Sequence, residues 1–142
     1  MTNGLNYLAL ARKAGLAELG EEPVGAAARK GKAYLIAVAG DASDHTWRRA
    51  LSFVAGTDQQ CIRIPYTKKE LGEAIGRQEL ALGAITDPAL ALAFLKALND
   101  PQKYKDALES LQKRTERVQT RQAEARAHEK NVKKGYFSKK TK

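Results

Sequence analysis

The stretch from Gly31 to Ser43, Gly-Lys-Ala-Tyr-Leu-Ile-Ala-Val-Ala-Gly-Asp-Ala-Ser, constrains the fold more than any other part of the chain. Tyr34 to Ala39 form a near-continuous apolar run with glycines beyond both ends. The run is too short for a buried helix, and its bounds favour a strand covered on both faces. A strand of that kind needs helices above and below it, and the segments on either side have helical spacing. The reading is therefore an α/β protein, a three-layer α/β/α sandwich with a small mixed sheet. Asp41-Ala42-Ser43 falls at the strand's carboxyl end, where open α/β sheets place functional loops.

Helices and strands alternate around this centre. Leu5, Leu8, Ala9 and Arg12 recur at helical spacing, so a helix is expected from about Asn3 to Ala14, ended by Gly15. Leu16 to Leu19 reads as a short edge strand. Gly20-Glu21-Glu22-Pro23 reads as a helix start, with Pro23 at the first helical position and the carboxylates at the positive end of the helix dipole. Ser43 is expected to cap a third helix that turns Trp47, Leu51 and Val54 inward and Arg48 and Arg49 outward, breaking at Gly56. Cys61 to Ile64 reads as a strand in which the lone cysteine is a small hydrophobe. Thr67-Lys68-Lys69-Glu70 has capping-box spacing and places a fourth helix on Leu71 to Ile75. Leu80 to Ile85 supplies another strand. Asp87-Pro88 then starts a fifth helix with an apolar stripe of Leu90, Phe94, Leu95 and Leu98.

After Asn99-Asp100-Pro101 the composition changes. Residues 1–100 hold 12 Lys and Arg against 11 Asp and Glu, whereas residues 101–142 hold 13 against 5, so nearly all of the net +9 charge lies in the last third. The expected organisation is an α/β/α body over 1–100 and a basic, helical and partly disordered tail over 101–142. Tyr104, Leu108, Leu111, Thr115, Val118, Gln122 and Ala125 form a heptad-like seam that becomes less apolar along its length. Its first turns are expected to pack on the body, while Arg114, Arg117, Arg121 and Arg126 project. The segment from Asn131 onward is expected to be mobile. There Lys133, Lys134, Lys139 and Lys140 surround Tyr136 and Phe137, which suit stacking on unpaired bases and equally suit anchoring the tail on protein. Positive charge confined to one segment attracts polyanions, nucleic acid first among them. The plainer reading is a solvated tail that aids solubility.

Other classes fit poorly. One cysteine permits no internal disulfide, no Cys/His cluster has metal spacing, and no metal or cofactor is expected. A reducing cytoplasm fits best. Arg12 and Lys13 follow the apolar residues near Met1 and do not precede them, and no run of about 18 apolar residues occurs, which argues against a signal peptide and a membrane span. Asp41, Ser43, Asp44 and His45 are consecutive around a helix start, where Ser and Asp serve as caps, so they do not compose a catalytic triad. No Gly-x-Gly-x-x-Gly follows a strand, which excludes the usual dinucleotide site. The chain is read as no enzyme.

Ala11-Arg12-Lys13-Ala14-Gly15, Gly20-Glu21-Glu22, Gly31-Lys32-Ala33, Ala39-Gly40-Asp41-Ala42-Ser43, Leu71-Gly72-Glu73-Ala74-Ile75-Gly76 and Ile85-Thr86-Asp87 occur in this order. Together they resemble the ribosomal protein superfamily of L-seven-Ae, L-thirty-e and S-twelve-e, and in particular its bacterial YlxQ-like branch, over about residues 3–98. The resemblance implies a three-layer fold and non-catalytic binding of structured RNA, ribosomal or kink-turn-like. It implies that RNA is held by the helix start after the first strand and by the loop before the last strand. By position these are Gly20, Glu21, Glu22 and Ala26, with Lys30 and Lys32 farther along, and Gly76-Arg77-Gln78-Glu79-Leu80. Glu22, Pro23 and Ala26 stand where kink-turn binders of the family usually carry an amide or basic residue, a Glu or Gln, and a Lys. Much of the affinity is therefore assigned to the basic tail. The alternative is an adaptor that docks on the ribosome or a translation factor through Trp47 and the seam from Val118 to Val132, with weak RNA binding.

Overall fold

The structure, a computed structural model, describes the backbone of residues 4–141 and the side chains of residues 4–127. Its elements alternate as α1 (Gly4–Lys13), β1 (Ala17–Leu19), α2 (Glu21–Arg29), β2 (Leu35–Val38), α3 (Asp44–Val54), β3 (Gln60–Arg63), α4 (Lys68–Ala74), β4 (Leu82–Ile85), α5 (Pro88–Ala97) and α6 (Lys105–Thr141). The four strands form one mixed sheet in the order β1-β4-β2-β3, with β4 antiparallel to both neighbours and β2 parallel to β3. Helices α2 and α3 pack together, and α1 joins α4 and α5, which joins α6. The expected three-layer α/β/α sandwich with a small mixed sheet is what forms.

Every residue of β2 and β4 is buried, as continuous apolar strands between two helical layers should be. Gly83 and Ala84 keep β4 thin, and α2 opposes the sheet with a face of Val24, Gly25, Ala27 and Ala28, so helix and sheet approach closely. The local start signals act as expected. Ser43 Oγ accepts the Thr46 N–H at 3.2 Å, and Asp87 Oδ2 accepts that of Leu90 at 2.8 Å. Thr67 and Glu70 complete a reciprocal capping box.

Several expectations need correction. Pro23 stands at the third helical position, because Gly20 caps the helix and Glu21 opens it. This is tolerated, since the third N–H of a helix lacks an intrahelical partner in any case. Helix α4 starts at Lys68, directly after its cap, and not near Leu71. Leu51 is 40% exposed: α3 seats on the sheet through Trp47, Ala50 and Val54 and turns Phe53 toward Gly25 of α2, which leaves the Leu51 flank outside.

Helix α6 is bound to the body over its first three turns. Tyr104, just before it, and Ala107, Leu111 and Thr115 within it are buried, while Leu108 is half-buried. Tyr104 Oη donates to the Arg63 carbonyl at 3.0 Å, Gln60 Nε2 donates to Ser110 Oγ at 3.1 Å, and Thr115 Oγ1 donates to the Leu111 carbonyl at 2.7 Å. The expected seam thus finds partners as far as Thr115. Val118 is half-buried, and Gln122 and Ala125 are exposed.

Candidate nucleic-acid interface

Antiparallel pairing of β4 with β1 matches Leu19 to Gly83, so the chain leaving β1 emerges beside the chain entering β4. The Gly20 N–H donates to the Leu82 carbonyl at 3.2 Å, fastening the start of α2 to the first residue of β4. Gly20 holds φ +97°, a left-handed conformation that a side chain would strain. Two segments separated by more than fifty residues in sequence, Gly20-Glu21-Glu22 and Gly76 to Leu80, therefore meet at one end of the sheet.

The loop is fixed from below by α4. The Arg77 N–H donates to the Gly72 carbonyl at 2.8 Å and the Leu80 N–H to the Lys68 carbonyl at 2.9 Å. Gly72 lies so close to Glu79 that a Cβ there would sit 2.5 Å from the Glu79 Cα. Gly76, Arg77, Gln78 and Glu79 are exposed above this support.

At the start of α2 the N–H groups of Glu21 and Glu22, in the first helical turn, have no intrahelical partner. Pro23 has no N–H, and that of Val24 goes to the Gly20 carbonyl. Two backbone donors are thus left for an incoming acceptor, as at anion sites on helix starts. The charges around them nearly cancel. Glu21 pairs with Arg49, whose guanidinium lies 5.4 Å from the Phe53 ring centroid, while Glu22, Arg77 and Glu79 are exposed. A groove of about 490 Å³ runs between α2 and α3, lined by Glu22, Pro23, Ala26, Arg29, Arg49 and Phe53. Sequence reasoning missed Arg29 and Arg49, because nothing in the spacing says that α3 lies against α2.

Lys30 and Lys32 are exposed at the other end of α2. There the Gly31 carbonyl accepts a hydrogen bond from Arg114 Nη2 at 2.9 Å. Arg114 does not project as expected. Its guanidinium stacks 4.1 Å from the Tyr34 ring centroid, pairs with Asp58 at 3.3 Å, and leaves the side chain 15% exposed. The physical reason is the seam itself: burying Leu111 and Thr115 turns Arg114 onto the loop between α2 and β2. Arg117 is exposed and loosely paired with Asp58 at 3.8 Å, while Arg121 and Arg126 are exposed. The side chains of Lys133, Lys134, Tyr136, Phe137, Lys139 and Lys140 lie outside the described residues, as does the expected mobility from Asn131 onward.

The remaining polar candidates have local duties. Asp41 Oδ1 accepts the Lys68 N–H at 2.8 Å, and Ser43 is occupied as a cap. His45 is exposed on α3. Trp47 is half-buried and covered by the Arg63 guanidinium, 5.1 Å from its ring centroid. Burial pushes the Cys61 thiol up from 9.0 to about 12, so it is protonated at neutral pH. Among the described residues no group of three or more His, Cys, Asp or Glu could hold a metal ion, and no helix is long and apolar enough to cross a membrane.

No protein-family model matches the chain, and no curated protein matches it. Solved structures share the fold. A protein of unknown function from Bacillus halodurans superposes with a TM-score of 0.64 at 24% identity, covering 70% of this chain and all of that one. The Giardia lamblia 15.5kD RNA binding protein superposes with a TM-score of 0.55 at 19% identity, covering 75% of this chain and 85% of that one.

Proposed function

We propose that this chain is a non-catalytic RNA-binding protein that takes structured RNA, ribosomal or kink-turn-like. The start of α2 and the Gly76 to Leu80 loop form its shape-selective groove, and the basic α6 arm supplements its affinity through phosphate contacts outside that groove. The observation that carries this reading is the Gly20 to Leu82 hydrogen bond, which ties the start of α2 to the first residue of β4, two residues past the loop that the family resemblance names. The N–H groups at the start of α2 suit a phosphate or an extruded base edge, and Arg77 adds a cation beside them. The likeness of fold to an RNA-binding protein from Giardia lamblia supports the same reading. Asp41 and Ser43 are held by backbone N–H groups, which suits a structural role and not a catalytic one.

The test is fluorescence anisotropy of the full chain with a kink-turn hairpin and with an unpaired RNA of equal length. Tighter binding of the hairpin is expected, weakened about five- to tenfold by Arg77→Gln, in keeping with about 1–3 kcal/mol for a specific polar contact. Indifference to both RNAs at low ionic strength overturns the proposal.

A further inference from the structure

We infer that the α6 arm is a second RNA contact at the opposite end of the sheet from the groove, so that one protein molecule holds two RNA segments at once. The inference rests on the RNA-binding reading above and concerns where the arm acts.

Strand register defines the two ends. Leu19 pairs with Gly83, and Val38 with Leu82, so the chain leaving β1 and β2 and the chain entering β4 share one end, which carries Gly20 and the Arg77 loop. Leu35 pairs with both Ile85 and Gln60 at the other end, which receives the chain from Gly31-Lys32 and from Asp58. Helix α6 crosses from the first end to the second. Tyr104 is bonded to the Arg63 carbonyl at the groove end, Ser110 to Gln60 at the far end, and Arg114 to the Gly31 carbonyl beyond that. The rise from Tyr104 to Arg114 is about 15 Å, and α6 continues away from the groove after it.

Charge is divided in the same way. The far end carries Lys30, Lys32, Lys113, Arg117, Arg121 and Arg126 against Glu18, Asp58, Glu116 and Glu124. The groove end carries Arg49, Lys68, Lys69 and Arg77 against Glu21, Glu22, Asp41, Glu70 and Glu79, a near balance. Surface charges are screened over about 8–10 Å at physiological salt, less than the separation of the ends, so the arm cannot lend its field to the groove. Arg114 and Asp58 fix the direction of the arm, and Lys113, Arg117 and Arg121 recur at every fourth residue as an exposed cationic row along α6. A phosphate backbone fits such a row, because it needs repeated cations and no pocket.

The experiment titrates the full chain with a donor-labelled kink-turn hairpin and an acceptor-labelled unpaired RNA of about 20 nucleotides, long enough for several phosphate contacts. Energy transfer, native gels and sedimentation report the composition of the complex. The expected result is a complex of one protein with both RNAs. Arg117→Gln/Arg121→Gln should weaken uptake of the unpaired RNA about tenfold or more at low salt, with the hairpin affinity changed less than about threefold. Displacement of one RNA by the other, or bridging only by two protein copies, overturns the inference and leaves RNA binding standing. Binding of neither RNA overturns the functional reading and the inference with it.

Discussion

Replacing Arg114 separates two jobs that a basic residue on this helix can perform. Its Nη2 bond to the Gly31 carbonyl is charge-assisted, a class that contributes about 1.5–3 kcal/mol. Stacking on Tyr34 in a largely desolvated site adds about 0.5–2 kcal/mol. The pair with Asp58 adds little, because the Asp58 carboxylate is 55% exposed. These contributions overlap, so Arg114→Ala should cost about 2–3 kcal/mol, and Arg114→Lys, which keeps charge but loses the planar fork, about 1–2 kcal/mol. Urea unfolding followed by Trp47 fluorescence measures the loss, and amide exchange along residues 107–118 should accelerate as the helix detaches. The salt slope of RNA binding should stay unchanged, because this guanidinium contacts protein and not phosphate. Stability unaltered within about 0.5 kcal/mol, together with a salt slope reduced by about 0.7–0.9, would show that Arg114 is a phosphate ligand and refute the docking argument.

Ending the chain after Asn99 removes Tyr104, Ala107, Leu111 and Thr115 from the core, a loss of at least about 4–6 kcal/mol against a typical total of about 5–15, so circular dichroism should show the melt lowered by about 15 °C or more. Ending it after Val118 should preserve the melt and remove most of the affinity for unpaired RNA. Gly72→Ala forces a Cβ against the Glu79 backbone, so it should destabilise the protein by about 2 kcal/mol or more and lower hairpin affinity by displacing the Arg77 loop. Thr67→Ala breaks the capping box and should cost about 1 kcal/mol in thermal unfolding. With burial holding its pKa up near 12, Cys61 has little thiolate at pH 8, and alkylation by iodoacetamide should be slower in the native protein than after unfolding.

What the sequence disclosed is what lies within a few residues of itself. Ser43, Thr67 with Glu70, and Asp87-Pro88 are cap signals whose donor and acceptor are three residues apart, and each forms as read. The buried strand was legible at Tyr34 to Ala39 because two-sided burial demands an unbroken apolar run. Leu51 was misread because helical spacing reveals an apolar stripe without saying how far the sheet extends beneath it. Arg114 was misread for a related reason: its partners Gly31, Tyr34 and Asp58 lie far away in sequence, and a cation beside a decaying seam looks the same whether docked or free. The groove was reached only through resemblance, since nothing local in Gly20-Glu21-Glu22 names the loop before β4 as its neighbour.

That neighbour is set by strand direction. In a wholly parallel sheet the loop before the last strand would open beside Gly31-Lys32, among the cations of the arm, and a groove formed there would bind polyanions with little regard to shape. Because β4 runs antiparallel to both β1 and β2, the loop crosses to the groove end and meets the start of α2, where Glu21 is paired with Arg49 and Glu22, Arg77 and Glu79 are exposed. A site with nearly balanced charge gains little from phosphates alone, so it must discriminate through backbone donors and fit. A cationic row gains from any phosphate and discriminates little. In the proposed RNA-binding role the topology would divide selectivity and affinity between two ends of one small sheet, and substitutions at the two ends should alter RNA binding in different ways.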